Sequence, residues 1–176
     1  KNMTPYALLQ DMESRSRRFA SPLPQQVETV STWRGIGFML GGEQYVAHMA
    51  EVVEILQLPK VTRVPGVKSW VLGIANVRGR MVSVMDLNGV LGFPSKGNWR
   101  SQRVLVIEHN DYLTGLVVDA VLGMQSFPVD RESEAENVSD GLKTFVTKAF
   151  ERDGRAWSVM EFEALLQSPE FLDIAV

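Results

Sequence analysis

Two aspartates and two histidines are the side chains whose types could support acid/base or metal chemistry. Asp86 and Asp119 would form an acid/base pair only if the fold brought both carboxylates together in a cleft. We favour structural roles for both: Asp86 can cap a short helix, and Asp119 can accept a backbone hydrogen bond at a strand bend. His48 and His109 are far apart in sequence and favour ordinary surface roles. We therefore expect no catalytic residue, metal site or cofactor.

An arginine at a sharp turn is a more informative candidate. Arg78 and Gly79 separate two apolar runs, a pattern typical of a two-residue turn between antiparallel strands. At such a tip a guanidinium offers several coplanar donors to a carboxylate or carbonyl group, which lysine does not. A solvated turn charge explains the residue equally well at this stage.

An alternating segment precedes this turn. Val52, Glu54 and Leu56 share one side of a predicted strand, and Val53 and Ile55 share the side predicted to face the core. We expect the first side to be an exposed aliphatic patch with one carboxylate, which is typical of a partner-binding surface. The alternative is that a neighbouring element covers these aliphatic side chains.

The elements that must position these residues are short strands. Residues 1–30 predict a helix and a proline-containing linker, 31–168 predict two series of strands with a crossing near 92–101 and a short helix at the end, and 169–176 predict a tail. Residues 113–121 are apolar on both faces, so both should be covered. The fold class is therefore all-β with short helices, as two barrels with a shared core. The two series look alike in size, but no residue-level repeat is evident.

Composition restricts the classes of function. The 176 residues contain no cysteine, carry a net charge of -3 and include no apolar run of membrane-spanning length, which predicts a cytoplasmic protein. A small β-barrel that binds nucleic acid remains an alternative, although it would need basic and aromatic residues on one sheet face. Trp70 and Trp99 are secondary interface candidates.

Two short motifs carry a family resemblance. Residues 73–87 and 115–121 resemble the CheW family of chemosensory adaptors through Gly73, Asn76, Arg78, Gly79, Asp86 and Leu87, and then Gly115, Val118, Asp119 and Val121. Val77 and Ser83 depart from the pattern, in which leucine and proline are usual. The start of the first helix, Thr-Pro-x-x-Leu-Leu, resembles the twitching-motility adaptors of type IV pilus chemosensory systems.

This resemblance implies two SH3-like five-stranded barrels packed side by side in a non-catalytic coupler. Such adaptors bind the helical hairpin tip of a methyl-accepting chemoreceptor and the regulatory domain of a CheA-type histidine kinase, at membrane-associated receptor arrays. By motif position, the receptor-binding residues would be Val52, Glu54, Arg78, Gly79 and Gly115. The kinase would dock on the barrel ends, where the candidates are Ile55, Leu56 and Val61.

Overall fold

The computed structural model describes residues 4–19, 31–94 and 98–174, and the chain divides into two compact units, Lys1–Val30 and Ser31–Val176. The first unit contains helix α1, Pro5–Phe19, as the sequence predicts. Thr4 caps it, since its Oγ1 accepts from the amide of Ala7 at 3.3 Å. Pro5 occupies the first helical position, where no amide donor is needed.

The second unit is mostly β-structure. Its strands are β1 Thr32–Leu40, β2 Glu43–His48, β3 Val52–Gln57, β4 Val71–Val77, β5 Arg80–Asp86, β6 Arg103–His109, β7 Tyr112–Val118, β8 Ala120–Pro128, β9 Glu132–Glu134, β10 Val146–Arg152 and β11 Arg155–Met160. Its helices are α2 Leu87–Leu91, α3 Phe162–Leu166 and α4 Pro169–Leu172. Within the described ranges, no helix is both long and apolar enough to cross a membrane.

The strands form two sheets, so the predicted fold class is confirmed. One sheet has the order β3-β6-β7-β5-β4, and the other has the order β8-β1-β2-β11-β10-β9. The second sheet thus has six strands, where five were expected. The sixth, β9, is an acidic segment of three residues that pairs with β10.

The chain passes between the sheets twice, and neither passage lies near 92–101. It leaves the six-stranded sheet at Met49–Glu51, after β2, and returns to it at Asp119, after β7. The segment 92–102 begins and ends in the five-stranded sheet, because β5 and β6 both belong to it. The expected crossing was therefore wrong, and neither sheet is made of consecutive strands alone.

Both sheets close in the same way. The chain beyond β3, at one edge, returns to the other edge, where Thr62 and Ile74 exchange backbone hydrogen bonds of 2.8 and 2.9 Å. Likewise β8 forms one edge, and β9, which follows it, pairs with β10 at the other. Closure of this kind removes open sheet edges, as in a small barrel.

The shared topology has a counterpart in the sequence. Residues 66–87 and 141–162 align without a gap, with identical residues at Gly66/Gly141, Lys68/Lys143, Val71/Val146, Gly79/Gly154, Arg80/Arg155, Ser83/Ser158, Val84/Val159 and Met85/Met160. Asp86 donates its amide to the carbonyl of Trp70 at 2.7 Å, and the aligned Glu161 donates to that of Phe145 at 2.8 Å. The expectation of no residue-level repeat was wrong.

The repeat shows that the sheets exchange hairpins. The hairpin β1–β2 precedes the first aligned segment but lies in the sheet of the second. The hairpin β6–β7 precedes the second aligned segment but lies in the sheet of the first. Each sheet encloses its own buried cluster, around Val82 and Val104 in one and around Phe127 and Phe150 in the other. A larger cluster contains residues of both sheets, among them Phe38 and Leu105. The predicted shared core is confirmed.

Two further expectations concern burial. Residues 115–119 of the both-face apolar run are all buried, as predicted. The segment 169–176 was expected to be a tail, but its described part, 169–174, packs on the domain. Phe171 is buried and stacks on Trp70 at 6.1 Å, and the carbonyl of Ile174 accepts from the amide of Lys68 at 2.8 Å.

Candidate partner-binding site

Arg78 and Gly79 form the turn between β4 and β5, which we call the first tip. Their φ angles are 54° and 80°, as a two-residue hairpin turn of the I′ type requires. Glycine adopts this conformation freely, whereas for arginine it costs about 1 kcal/mol. The side chain of Asn76 supports the turn, since its Oδ1 accepts from the amide of Gly79 at 3.0 Å.

The structure brings Arg78 and Glu54 together. Nη2 of Arg78 lies 2.9 Å from Oε1 of Glu54, although the two residues belong to opposite edges of the five-stranded sheet. The Glu54 side chain is 25% exposed, whereas that of Arg78 is 81% exposed. The carboxylate fixes one end of the guanidinium, and most of its remaining donors face solvent.

The aliphatic side chains of the expected patch, Val52 and Leu56, lie on opposite faces of β3, because the register with β6 shifts between Val52 and Glu54. Glu54 and Leu56 pair with Val106 and Val104, and Leu56 packs against the cluster inside the five-stranded sheet. Val52 packs against the core shared by both sheets. Both side chains are only partly exposed, because each packs against one of these two clusters.

The exposed aliphatic residues of β3 are instead Val53 and Ile55, which we call the β3 edge. They are 52% and 40% exposed, so the predicted core side of this strand was wrong. A bulge between Val52 and Glu54 shifts the register with β6 and leaves Val53 unpaired. Of the kinase candidates, Ile55 thus lies at the surface, whereas Leu56 and Val61 pack on the inner cluster.

Gly79 and Gly115 have different environments. Gly79 is exposed at the first tip, and a Cβ there would meet nothing within 4 Å. Gly115 is buried in β7, where a Cβ would lie 2.6 Å from Cγ1 of Val104. Its expected place in a receptor-facing groove is corrected: internal packing explains why this position has no side chain.

The second hairpin, β10–β11, has an arginine contact of another kind. Nη1 of Arg152 donates to Oε1 of Gln125 at 2.6 Å, and the guanidinium lies 4.1 Å from the ring centroid of Phe127. Nη2 also donates to the carbonyl of Ser126. Arg152 is thus held against the sheet on several sides, whereas Arg78 has one described contact. Of these two arginines, Arg78 is exposed and Arg152 is half-buried.

The two aspartates do come close, but inside the protein. Oδ2 of Asp119 accepts from the amide of Gly41 at 3.0 Å, and Oδ1 accepts from Nδ2 of Asn88 at 2.6 Å. The predicted backbone contact of Asp119 is confirmed. Asp86 occupies the N-cap position of α2 without a side-chain cap hydrogen bond. Asp119 is buried and serves as a structural acceptor, so the pair does not form an exposed acid/base site.

The pKa of the Asp86 carboxyl group is raised, mainly because the group is partly buried. Desolvation raises the pKa of its carboxyl group, the amides of Asn88 and Gly89 lower it, and the negative charge of Asp119 raises it. The oxygen Oδ1 of Asp86 is buried without a hydrogen-bond partner among the described atoms. Through its contact with Asn88, Asp119 joins α2 to the second passage between the sheets, which is a structural role.

The remaining candidates have ordinary roles. Nδ1 of His48 accepts from the amide of Ala50 at 3.1 Å, and Nε2 of His109 lies 3.1 Å from Nδ2 of Asn110. Trp70 is half-buried against Phe171, while Trp99 is 71% exposed with Arg100 over its ring. Sequence reasoning missed Arg152, and the internal repeat gives no signal for it, since it occupies the position aligned with Val77.

Comparison with known proteins identifies the fold and the family. The family model described as CheW-like domain matches residues 34–170. Protein PilI of Pseudomonas aeruginosa is 48% identical over 174 residues, which cover 98% of this chain and 97% of PilI. Chemotaxis protein CheW of Bacillus subtilis is 27% identical over 135 residues, covering 74% of this chain and 85% of that protein.

A solved structure gives the same result at the level of the fold. The scaffolding protein TtCheW from Thermoanaerobacter tengcongensis matches with a TM-score of 0.71 at 22% sequence identity. The match covers 80% of this chain and 96% of that one. The two-sheet architecture is therefore shared with a protein of divergent sequence.

Proposed function

The chain belongs to the family of CheW-like domains, and from this membership we propose that it couples a methyl-accepting chemoreceptor to a CheA-type histidine kinase. Members of the family are non-catalytic scaffold adaptors, so this chain is an adaptor and not an enzyme. Coupling of this kind requires a different affinity for two arrangements of the partners, and it requires no bond chemistry.

The contact of the exposed Arg78 with the half-buried Glu54 is the observation that carries the receptor-binding part of the proposal. An arginine held at one end by a carboxylate is oriented before a partner arrives, which lowers the entropy lost on binding. Its remaining donors suit a carbonyl or carboxylate group of the receptor tip. A structural role alone would favour a guanidinium held by several contacts within the protein, such as that of Arg152.

The receptor contact is tested with a cytoplasmic tip fragment of a chemoreceptor from the same cell. Arg78→Ala and Glu54→Ala should each weaken binding by about 1–3 kcal/mol while the protein stays folded. Isothermal titration calorimetry gives the affinity, and circular dichroism checks the fold. Lys143→Ala is the control, since it removes another exposed cation from an ion pair, with Asp140. Unchanged affinity in both test variants would refute the assignment of this site.

The β3 edge supports the kinase-binding part. Val53 and Ile55 are exposed aliphatic side chains, and β8 carries an equivalent pair, Leu122 and Met124, beside a similar bulge. We propose that the kinase regulatory domain docks on such edges, one on each sheet, because exposed apolar groups supply affinity. Of the three candidates named from the sequence, this proposal retains Ile55. It omits Leu56 and Val61, because both pack on the inner cluster.

The kinase contact is tested with the purified regulatory domain of the CheA-type kinase. Ile55→Asp and Met124→Asp should each weaken binding at least tenfold, since a charge replaces a buried apolar contact. Leu172→Asp is the matched control, because Leu172 is an exposed leucine on α4. Equal affinity of all three variants would exclude the two edges as docking surfaces.

The pathway follows from the near full-length similarity to PilI. We propose a role in a type IV pilus chemosensory system that controls twitching motility, with the protein in the cytoplasm and recruited to membrane-associated receptor arrays. Deleting the coding sequence should abolish twitching, and Arg78→Ala should reduce it.

The nucleic-acid alternative finds no support at the first tip, because Arg78 and the neighbouring Arg80 each pair with a carboxylate.

A further inference from the structure

The first tip has an internal comparison, because the aligned turn at Asp153–Gly154 has the same backbone. Asp153 and Gly154 have φ angles of 53° and 75°, close to the 54° and 80° of Arg78 and Gly79. Aspartate tolerates this left-handed conformation far better than arginine does. The second tip therefore contains an ordinary turn residue, whereas the first contains a residue that the turn disfavours.

A side-chain hydrogen bond offsets this disadvantage at the first tip. Oδ1 of Asn76 accepts from the amide of Gly79, a donor that the strand ladder leaves free in a two-residue turn. At the aligned position, the second hairpin carries Glu151. The three residues Glu54, Asn76 and Arg78 thus have Gly123, Glu151 and Asp153 as their counterparts. The six-stranded sheet forms with different residues at all three positions, so closure of such a sheet does not require glutamate, asparagine and arginine there.

We infer that Asn76 is a positioning residue that holds the first tip in the conformation from which Arg78 reaches both Glu54 and a receptor acceptor group. This inference rests on the proposed receptor contact of Arg78 and adds a residue that acts through it. Asn76, a residue of the hairpin itself, stabilises the turn. Glu54, on the opposite edge of the sheet, orients the guanidinium. With Asn76 truncated, the amide of Gly79 loses its acceptor, and the tip samples conformations in which Arg78 points elsewhere.

The inference predicts a specific pattern among four variants. Asn76→Ala should weaken binding of the receptor tip fragment about fivefold, the effect of one neutral hydrogen bond. Asn76→Asp keeps an acceptor oxygen at the same place and should restore most of the affinity. Glu151→Ala, the aligned position of the second hairpin, should leave the affinity unchanged. Arg78→Ala, the fourth variant, measures the contact on which the inference depends.

A second measurement separates positioning from general stability. The guanidinium NMR signals of Arg78 should move toward those of a free arginine in Asn76→Ala and stay in place in Asn76→Asp. If Arg78→Ala weakens binding but Asn76→Ala does not, the inference is wrong and the proposed function stands. If Asn76→Ala weakens binding with the Arg78 signals unmoved, or Asn76→Asp fails to restore it, the inference is also wrong. If Arg78→Ala has no effect, the proposed receptor contact itself fails.

Discussion

At the scale of single residues, exposure separates two arginines that both contact an edge strand. The guanidinium of Arg152 lies over the ring of Phe127 and donates to Gln125 and Ser126, so these contacts hold it within the protein. Arg78 has most of its guanidinium in solvent. Exposed ion pairs contribute little to stability, which supports the proposed role of Arg78 in partner binding.

This contrast predicts opposite effects on stability. Arg152→Ala should lower the free energy of unfolding by about 2–3 kcal/mol, because it removes charged hydrogen bonds and a ring contact. Arg78→Ala should change it by less than about 0.5 kcal/mol. Urea denaturation of both variants and the parent protein measures the difference. Equal destabilisation by the two substitutions would mean that Arg78 is as structural as Arg152.

Glu51 gives a prediction for pH. Its Oε2 accepts from the amides of Phe162 and Glu163 at 2.8 and 3.2 Å, at the start of α3. Burial raises the pKa of Glu51, these two amides lower it, the charge of Glu161 raises it and that of His48 lowers it. The net shift is upward, so the folded protein holds this proton more tightly than the unfolded chain does.

The sign of the effect follows from that shift. The contribution of Glu51 to stability is fully present below its pKa in the unfolded chain and is lost as the pH rises through its higher pKa in the folded protein. Glu51→Gln keeps an acceptor for the α3 amides but does not titrate. The difference in unfolding free energy between parent and variant should therefore move in favour of the variant as the pH rises through this range. Chemical denaturation at several pH values tests this, and a difference independent of pH would contradict it.

At the scale of elements, β7 is the central strand of the five-stranded sheet and has no space for a side chain at Gly115. An added Cβ would lie 2.6 Å from Cγ1 of Val104 and 3.2 Å from that of Val82. Such contacts force neighbouring side chains or backbone to shift. The close packing of β5, β6 and β7 thus depends on this glycine.

Gly115→Ala should destabilise the protein by about 1–3 kcal/mol. Gly141→Ala is the control, because a Cβ at Gly141 would meet nothing within 4 Å and should cost almost nothing. Thermal unfolding followed by circular dichroism compares the two variants. A Gly115→Ala protein of unchanged stability that bound receptor poorly would instead return Gly115 to the partner surface.

At the scale of the whole molecule, the exchanged hairpins make the two halves of the domain interdependent. The half before 92–102 supplies β1–β2 to the six-stranded sheet, and the half after it supplies β6–β7 to the five-stranded sheet. Neither half contains a complete sheet. The proposed receptor surface at the first tip and the proposed kinase surfaces at the edges of β3 and β8 therefore belong to one interleaved body.

Cutting the chain at an engineered protease site within 92–102 should leave the halves associated. They should elute together in size-exclusion chromatography and separate only in denaturant, with a melting temperature that depends on concentration. Uncut protein of the same sequence is the control, and its melting temperature should not depend on concentration. Halves that separated in native buffer would contradict the interdependence of the two halves.

The sequence alone determined those features that local chemistry decides. Two-residue turns at Arg78–Gly79 and Asp153–Gly154 follow from glycine and the apolar runs beside them, and the start of α1 follows from Thr4 and Pro5. The first family motif, residues 73–87, contains one of these turns. Contacts between residues near in sequence are specified by the residues themselves, so such elements were predictable.

Only the tertiary structure decided which side of β3 is exposed and which hairpin completes which sheet. Both faces of the five-stranded sheet meet an apolar cluster, so alternation did not indicate which side of β3 is exposed. The bulge at Val53 also places Val52 and Glu54 on opposite faces, although simple counting puts them on the same one. The exchange of β1–β2 and β6–β7 depends on pairing between strands far apart in sequence. The contact between Glu54 and Arg78 depends on the same closure, which brings opposite edges of the sheet together.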